Sequence, residues 1–343
     1  MTAAGTQQKL DITKNGPLTD LLSRGFASKV VGQDKAVQVL LDMVDAYSAG
    51  FNDARRPAGV ALFLGPTGTG KTHVVETLAE SLFGNAKACL RIDCAEFQHS
   101  HEIAKLIGSP PGYLGHRETH PTLTQEALNQ FHTDKFKLSI LLLDEIEKAS
   151  DSLWSLLLGI LDNATLTLGD NRKVDFSKVI IVMTSNLGAR EMSNRGIGFV
   201  ELEEGDDNDR LEKIAVSAAK SKFSPEFMNR IQNIVTFKSL TQAQIKLILD
   251  IELKALELRL FMASERHLAL AVSPKARQVL LSEGYDKTNG ARHLRRAIER
   301  RIQRPLAKLV SSGQLNVNQT VVVDEVGESD FAFYTHPLPE VTL

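Results

Sequence analysis

The stretch that most constrains this chain runs from Val60 to Thr72, an apolar segment that breaks into a glycine-rich loop ending in Lys-Thr. Gly65 is followed by Pro66, Thr67, Gly68 and Thr69, then by Gly70, Lys71 and Thr72, which completes the P-loop pattern. The flanks agree: Val60 to Leu64 reads as a buried strand, and Thr72 to Leu82 reads as a helix with Val74, Val75, Leu78, Ala79 and Leu82 at helical spacing. Gly68 and Gly70 allow successive backbone N–H groups to converge on phosphate oxygens, and the helix N-terminus adds its partial positive charge. Lys71 is expected to reach the β- and γ-phosphates of a nucleotide and the Thr72 hydroxyl to take one Mg²⁺ position. A chance glycine-rich turn would not bring the strand before it and the helix after it.

Downstream, Ser139-Ile140-Leu141-Leu142-Leu143-Asp144-Glu145 is an apolar strand ending in two carboxylates, a Walker B pattern. Asp144 is expected to hold Mg²⁺ and Glu145 to polarise the water that attacks the γ-phosphate, which turns nucleotide binding into ATP hydrolysis. A strand followed by an acidic helix start would look the same without the P-loop upstream. A further apolar strand, Val179 to Met183, runs into Thr184-Ser185-Asn186, where Asn186 is either a turn residue or an amide placed to touch the γ-phosphate or the water. Three apolar strands separated by helices and followed by polar residues predict a parallel sheet with the site at its carboxyl edge.

Composition sets the outer limits. A chain of 343 residues with 43% hydrophobic and 24% charged content suits one large or two medium globular domains. No apolar run has the length of a membrane span, and Thr2 to Asp11 lacks the layout of a secretory signal, so the expected location is cytoplasmic, without a membrane partner. Cys89 and Cys94 are the only cysteines, which argues against zinc and for reduced core thiols. The formal net charge of −2 argues against a chain built to coat nucleic acid. Arg292 to Arg304 does hold six arginines, but Leu294, Ile298, Ile302 and Leu306 recur every four residues, so one face is expected to pack while the arginines fan over the other. Pro305 is expected to kink or end that helix.

In order, residues 1–28 read as a mobile lead-in with a short helix from Leu18. A helix follows Val30-Val31-Gly32-Gln33-Asp34 and buries Ala36, Val37, Leu40, Leu41 and Val44. Ala88 to Ile92 reads as a strand and Glu102 to Ile107 as a short helix; the Pro- and Gly-rich stretch Gly108 to Gly115 is either a connector or a loop presenting Tyr113. Residues 29–237 form the expected large nucleotide-binding domain. From residue 238 to 343, helices over Thr241 to Met262, Pro274 to Ser282 and Ala291 to about Ser311 alternate with strands over Leu268 to Val272, Thr320 to Asp324 and Asp330 to Tyr334, a small α/β lid.

These residues together resemble the AAA+ ATPases of the Clp family, most closely the second ATPase ring of two-ring Clp unfoldases and disaggregases, over about Lys29 to Glu325. Val30 to Asp34 looks like the family's adenine-side segment, Leu106 to Gly115 like its pore loop, Leu142 to Ala149 like its Walker B continuation and Met183 to Gly188 like its sensor-one strand. Ser224 to Ile231 resembles the arginine-finger segment, and Gly290-Ala291-Arg292 the start of sensor two.

The resemblance implies an α/β P-loop fold with a C-terminal lid. It further implies ATP and Mg²⁺ as cofactors, protein substrates, a homo-oligomeric ring of six, and an adaptor. Val30 and Val31 would flank the base, Arg230 would complete the neighbouring subunit's site, Arg292 would sense the γ-phosphate in cis, and Tyr113 would grip polypeptide in an axial pore. Ile197-Gly198-Phe199, followed by the acidic run Glu201 to Asp209, resembles the tripeptide with which some Clp ATPases dock on a ClpP-type peptidase. Two departures stand out: His116-Arg117 and His120-Pro121 replace the family's Tyr-Glu and Gly-Gly, and this sequence holds no first ring, N-terminal substrate domain or zinc module, as expected either of a minimal single-ring machine relying on an adaptor or of an excised or specialised ring. The expected function is a threading unfoldase coupled to a peptidase. The alternatives are a stand-alone chaperone or disaggregase, a nucleotide-gated assembly module, and a DNA-remodelling ATPase.

Overall fold

The computed structural model describes residues 11, 14–109, 120–134, 136–189, 192, 204–263, 268–285, 290–327 and 330–337. In chain order the strands are β1 (Gly59–Leu64), β2 (Leu90–Asp93), β3 (Ser139–Asp144), β4 (Thr165–Thr167), β5 (Lys173–Asp175), β6 (Val179–Ser185), β7 (Asn233–Thr236), β8 (Ala269–Val272), β9 (Gln319–Val326) and β10 (Asp330–Pro337).

A five-stranded parallel sheet in the order β2-β3-β6-β1-β7 organises the first two thirds. Every residue of β1 and of β6 is buried, as a parallel sheet covered on both faces requires. Alternation along β1 splits it between two cores: Val60, Leu62 and Leu64 face one side, Ala61 and Phe63 the other. Helices Asp34–Ser48 and Lys71–Phe83 cover the second face, and Asp151–Asn163 and Glu204–Lys222 contribute to the first.

The short helix expected from Leu18 forms as Pro17–Ala27, and its Leu22 and Phe26 are buried in the same core as Val74, Val75 and Leu78 of the P-loop helix. β2 begins two residues later than the apolar run suggested, and β7 and the β4–β5 hairpin add to the expected strands. From Glu204 onward the acidic run forms the first turns of a 19-residue helix.

The smaller domain packs helices Gln242–Ala263, Pro274–Gly284 and Ala291–Ile298 on the sheet β10-β9-β8, in which β8 runs parallel and β10 antiparallel to β9. Leu294, Ile298, Ile302 and Leu306 are all buried in its core, each worth about 1.5–3 kcal/mol of apolar burial. Pro305 does not end the helix: a π-helical stretch, Glu299–Gln303, leads directly into helix Arg304–Ser311. Proline lacks an N–H and crowds the preceding turn, and here it follows directly on the π-helical stretch, in the first turn of the segment after it. Among the described residues, no helix is long and apolar enough to cross a membrane.

Candidate functional site

Parallel pairing fixes the geometry of the site. β1 and β6 run in register from Gly59 opposite Ile180 to Leu64 opposite Ser185, and β3 pairs with β6 up to Leu143 opposite Met183. The polar tips of the three strands therefore emerge on one edge, where the loop after β1 turns back into helix Lys71–Phe83. Gly65 takes φ 143°, Gly68 φ 78° and Gly70 φ 101°. A side chain on Gly65 would meet the Phe237 carbonyl. Gly70 caps the helix with no side-chain hydrogen bond, so the first-turn N–H groups are left to a ligand.

Lys71 is 8% exposed, and its ammonium donates to the carbonyls of Gly65 at 2.7 Å and Pro66 at 2.9 Å and to Asn186 Oδ1 at 2.9 Å. Burial lowers its pKa to about 8 against the opposing pull of Glu147, Asp144 and Glu145. The Thr72 hydroxyl lies 3.4 Å and 3.5 Å from the two Asp144 carboxylate oxygens. A hydroxyl and a carboxylate converging at the edge of a phosphate cradle are the hard oxygen donors that magnesium prefers.

Glu145 has a left-handed φ of 56°, uncommon for a residue with a side chain, and it turns the chain sharply at the end of β3. Its N–H donates to the Thr184 hydroxyl at 3.2 Å, and that hydroxyl donates to Asp144. Asn186 Nδ2 donates to Glu145 Oε1 at 3.3 Å, and Lys148 pairs with Oε2. Lys148 and Glu145 are partly solvated, so the pair is weak and releasable.

A cavity of about 270 Å³ opens above this edge. Gly68, Gly70, Lys71, Thr72, Asp144, Glu145 and Asn186 form its polar end, while Val30 and Val31 with Leu240, Ile248 and Ile251 form an apolar end. The smaller domain closes it with Arg292, whose helix starts against the cradle: the Ala291 N–H donates to the Gly68 carbonyl at 3.1 Å. Gln33, 6% exposed, links the P-loop to the segment after β7, its amide donating to Thr69 O at 3.1 Å and Lys238 O at 3.2 Å.

Arg230 does not line this cavity. It ends helix Pro225–Arg230 and pairs with Asp162 near the end of helix Asp151–Asn163, a hydrogen bond that raises its pKa. Tyr113 and Ile197, Gly198 and Phe199 lie outside the described residues.

Several residues of the site had no role of their own in the sequence: Gln33, Thr184, Glu147 and Lys148 stand inside the quoted motifs, and Arg91 stands outside them. Thr184 stood beside Asn186 and could have been read as a second polar strand tip. Arg91, 2.6 Å from Asp144, gave no signal, because only strand order brings β2 beside β3. The arginines after residue 292 are largely answered by acids: Arg295 by Glu252, Arg300 and Arg301 by Glu283, Arg304 by Glu299.

A phosphate cradle on a parallel sheet, shut by a second domain that brings its own arginine, defines a lidded P-loop NTPase. Residues 56–234 match the family described as AAA domain (Cdc48 subfamily), and residues 240–323 match the one described as the C-terminal, D2-small domain of ClpB protein. The chain belongs to the Clp-type AAA+ ATPases. It is 38% identical over 301 residues to the ATP-dependent Clp protease ATP-binding subunit ClpC of Staphylococcus epidermidis, covering 88% of this chain and 36% of that protein. ClpC of Staphylococcus aureus matches to the same extent, so the chain spans 36% of the length of these curated relatives. Among solved structures, Hsp104 with ATPγS and FITC casein in a closed state superposes with a TM-score of 0.77 at 32% identity, over 96% of this chain and 53% of that one. The Saccharomyces cerevisiae Hsp104–casein complex in an extended conformation gives 0.77 at 30% identity, over 94% and 53%.

Proposed function

We propose that this chain is the motor of a ring-forming protein unfoldase that hydrolyses ATP to pull polypeptide through an axial pore. The observation that carries the reading is the meeting of Arg292, from the lid, with Lys71, Asp144 and Glu145 on one cavity. A group in each domain that faces the same phosphate end makes the angle between the domains depend on what occupies it.

The base would lie between Val30, Val31 and the lid's Ile248 and Ile251, and the phosphates against the N–H groups of Gly68 to Thr72. Thr72 and Asp144 would hold magnesium, which neutralises phosphate charge when bound. Lys71 already points three donors at oxygens around the cradle and would exchange Asn186 for phosphate. Glu145, once Lys148 lets go, would orient and polarise the attacking water, with Asn186 fixing its carboxylate. Arg230, directed away from its own cavity, would serve a neighbour's, which calls for a closed ring, a hexamer by family resemblance. Tyr113 would grip the threaded chain, its flat ring giving contact at low entropy cost. Work of this kind fits a cytoplasmic protein supplied with substrates by an adaptor.

Peptidase coupling is the finer part of the proposal: ClpC is named as a subunit of a protease, and Ile197 to Phe199 offer two apolar side chains for insertion into a partner's clefts. The Hsp104 structures with casein favour a second reading, remodelling without a peptidase. Tyr113→Ala tests threading: loss of unfolding of a tagged fluorescent protein at an unchanged ATPase rate is expected, and undiminished unfolding would refute it. Deleting Ile197 to Phe199 separates the readings, since degradation by the cognate peptidase should stop while unfolding continues.

A further inference from the structure

We propose that Glu147 is a positioning residue that holds the tip of β6 so that the Asn186 amide reaches both Lys71 and Glu145. The inference rests on the ATP-site reading of the cavity. Glu147 Oε1 accepts the Asn186 backbone N–H at 3.2 Å, while its Oε2 is buried and has no hydrogen-bond partner among the described residues. Leaving a carboxylate oxygen in that state costs free energy that an apolar side chain of the same size would avoid. What the carboxylate supplies is an acceptor for a strand-tip backbone donor from another element, and a negative charge toward Lys71. Of the acids around Lys71, Glu147 favours its charged form most.

The turn that carries Glu147 is itself braced. Within Ile146–Lys148, the Lys148 N–H donates to the Glu145 carbonyl at 2.9 Å, the Trp154 indole N–H donates to the Ile146 carbonyl at 3.1 Å, and the Ser150 N–H donates to the Phe97 carbonyl at 2.9 Å. A fixed turn on β3 therefore grips a polar tip on β6 across 39 residues of sequence. The Asn186 side chain, with its backbone held, spans from Lys71 Nζ at 2.9 Å to Glu145 Oε1 at 3.3 Å. Glu147 thus acts on the water-polarising group through Asn186 and need not touch nucleotide.

The test is steady-state ATPase kinetics, with nucleotide affinity and melting temperature, for Glu147→Ala, Glu147→Gln, Asn186→Ala and the double variant Glu147→Ala/Asn186→Ala. Glu147→Ala should lower kcat about tenfold or more, as Asn186→Ala does, with ATP affinity within about threefold of wild type. Glu147→Gln keeps an acceptor oxygen and should stay within about threefold of the wild-type kcat, and the double variant should be no slower than Asn186→Ala. Losses that multiply, a Gln variant as slow as the Ala variant, or an effect on melting alone would overturn the assignment. If Asn186→Ala is slow and Glu147→Ala is not, the positioning role alone falls; if neither is slow, it falls together with the site reading. Should Glu147→Ala fail to fold, Glu147→Met keeps the bulk without the acceptor and takes its place.

Discussion

Lys71 carries its charge in a largely buried place, and that makes it measurable. Lowering its pKa from 10.5 to about 8 corresponds to roughly 3 kcal/mol against the charged form in the folded, nucleotide-free protein. The sign follows from proton counts: between those two values the unfolded chain holds the proton and the folded chain releases it, so folding gains stability as pH rises. Below about pH 8 the full cost is present. Lys71→Met removes the ammonium, so the stability of the variant relative to wild type should fall steadily between pH 8 and 10.5, read by urea denaturation without nucleotide. A difference that is flat across that window would mean the ammonium is solvated. At neutral pH the same variant should lose any rise in melting temperature on adding ATP, because the ligand that repays the buried charge no longer has its partner. At this scale Lys71, Thr72 and Asp144 were legible from their spacing, while Asn186 stood open between a turn residue and a phosphate contact until the fold brought all four to one cavity. Glu147 and Arg91 were not legible, since an acid after a Walker B strand and an arginine within a short strand are ordinary until β2, β3 and β6 are laid side by side.

Elements were legible where periodicity was strong and ambiguous where tertiary contacts decide. β1, β3 and β6 are apolar on both faces, and the parallel sheet with its carboxyl-edge site followed from that pattern. β7 and the β4–β5 hairpin have four and three residues per strand, too short for any period, and form because neighbours supply their partners. The join between lid and cradle is a matter of one glycine: Gly290 has φ 53°, and a Cβ there would come 2.5 Å from the Gly68 carbonyl. A side chain must therefore push helix Ala291–Ile298 away from the P-loop and break the Ala291 to Gly68 hydrogen bond. Gly290→Ala should weaken nucleotide binding about tenfold while the smaller domain's buried face, Leu294 to Leu306, stays intact. Calorimetric titration with ATPγS checks the first part and an unchanged far-ultraviolet circular dichroism spectrum the second; unaltered affinity would show that the lid does not need this contact to close.

At the scale of the whole molecule the question is Arg230, which does not line the cavity and is paired with Asp162. An arginine that cannot reach its own cavity either stabilises the helix Asp151–Asn163 or completes another subunit's site, and mixing variants decides between them. Glu145→Gln subunits lack the carboxylate proposed to polarise water but keep Arg230; Arg230→Ala subunits lack the arginine but keep Glu145. Each alone should be nearly inactive, the arginine accounting for about 10³-fold or more if it behaves as trans-acting arginines do in related NTPases. In a mixed ring, an Arg230→Ala subunit placed beside a Glu145→Gln subunit has a complete cavity of its own and receives the missing arginine from its neighbour. Mixed samples should therefore regain ATPase activity, rising and then falling with the mixing ratio, and sedimentation should show rings of the same size as Glu145→Gln alone with ATP. If Arg230 only braces its own helix, no neighbour can replace it, and the mixture will show the weighted mean of two dead enzymes.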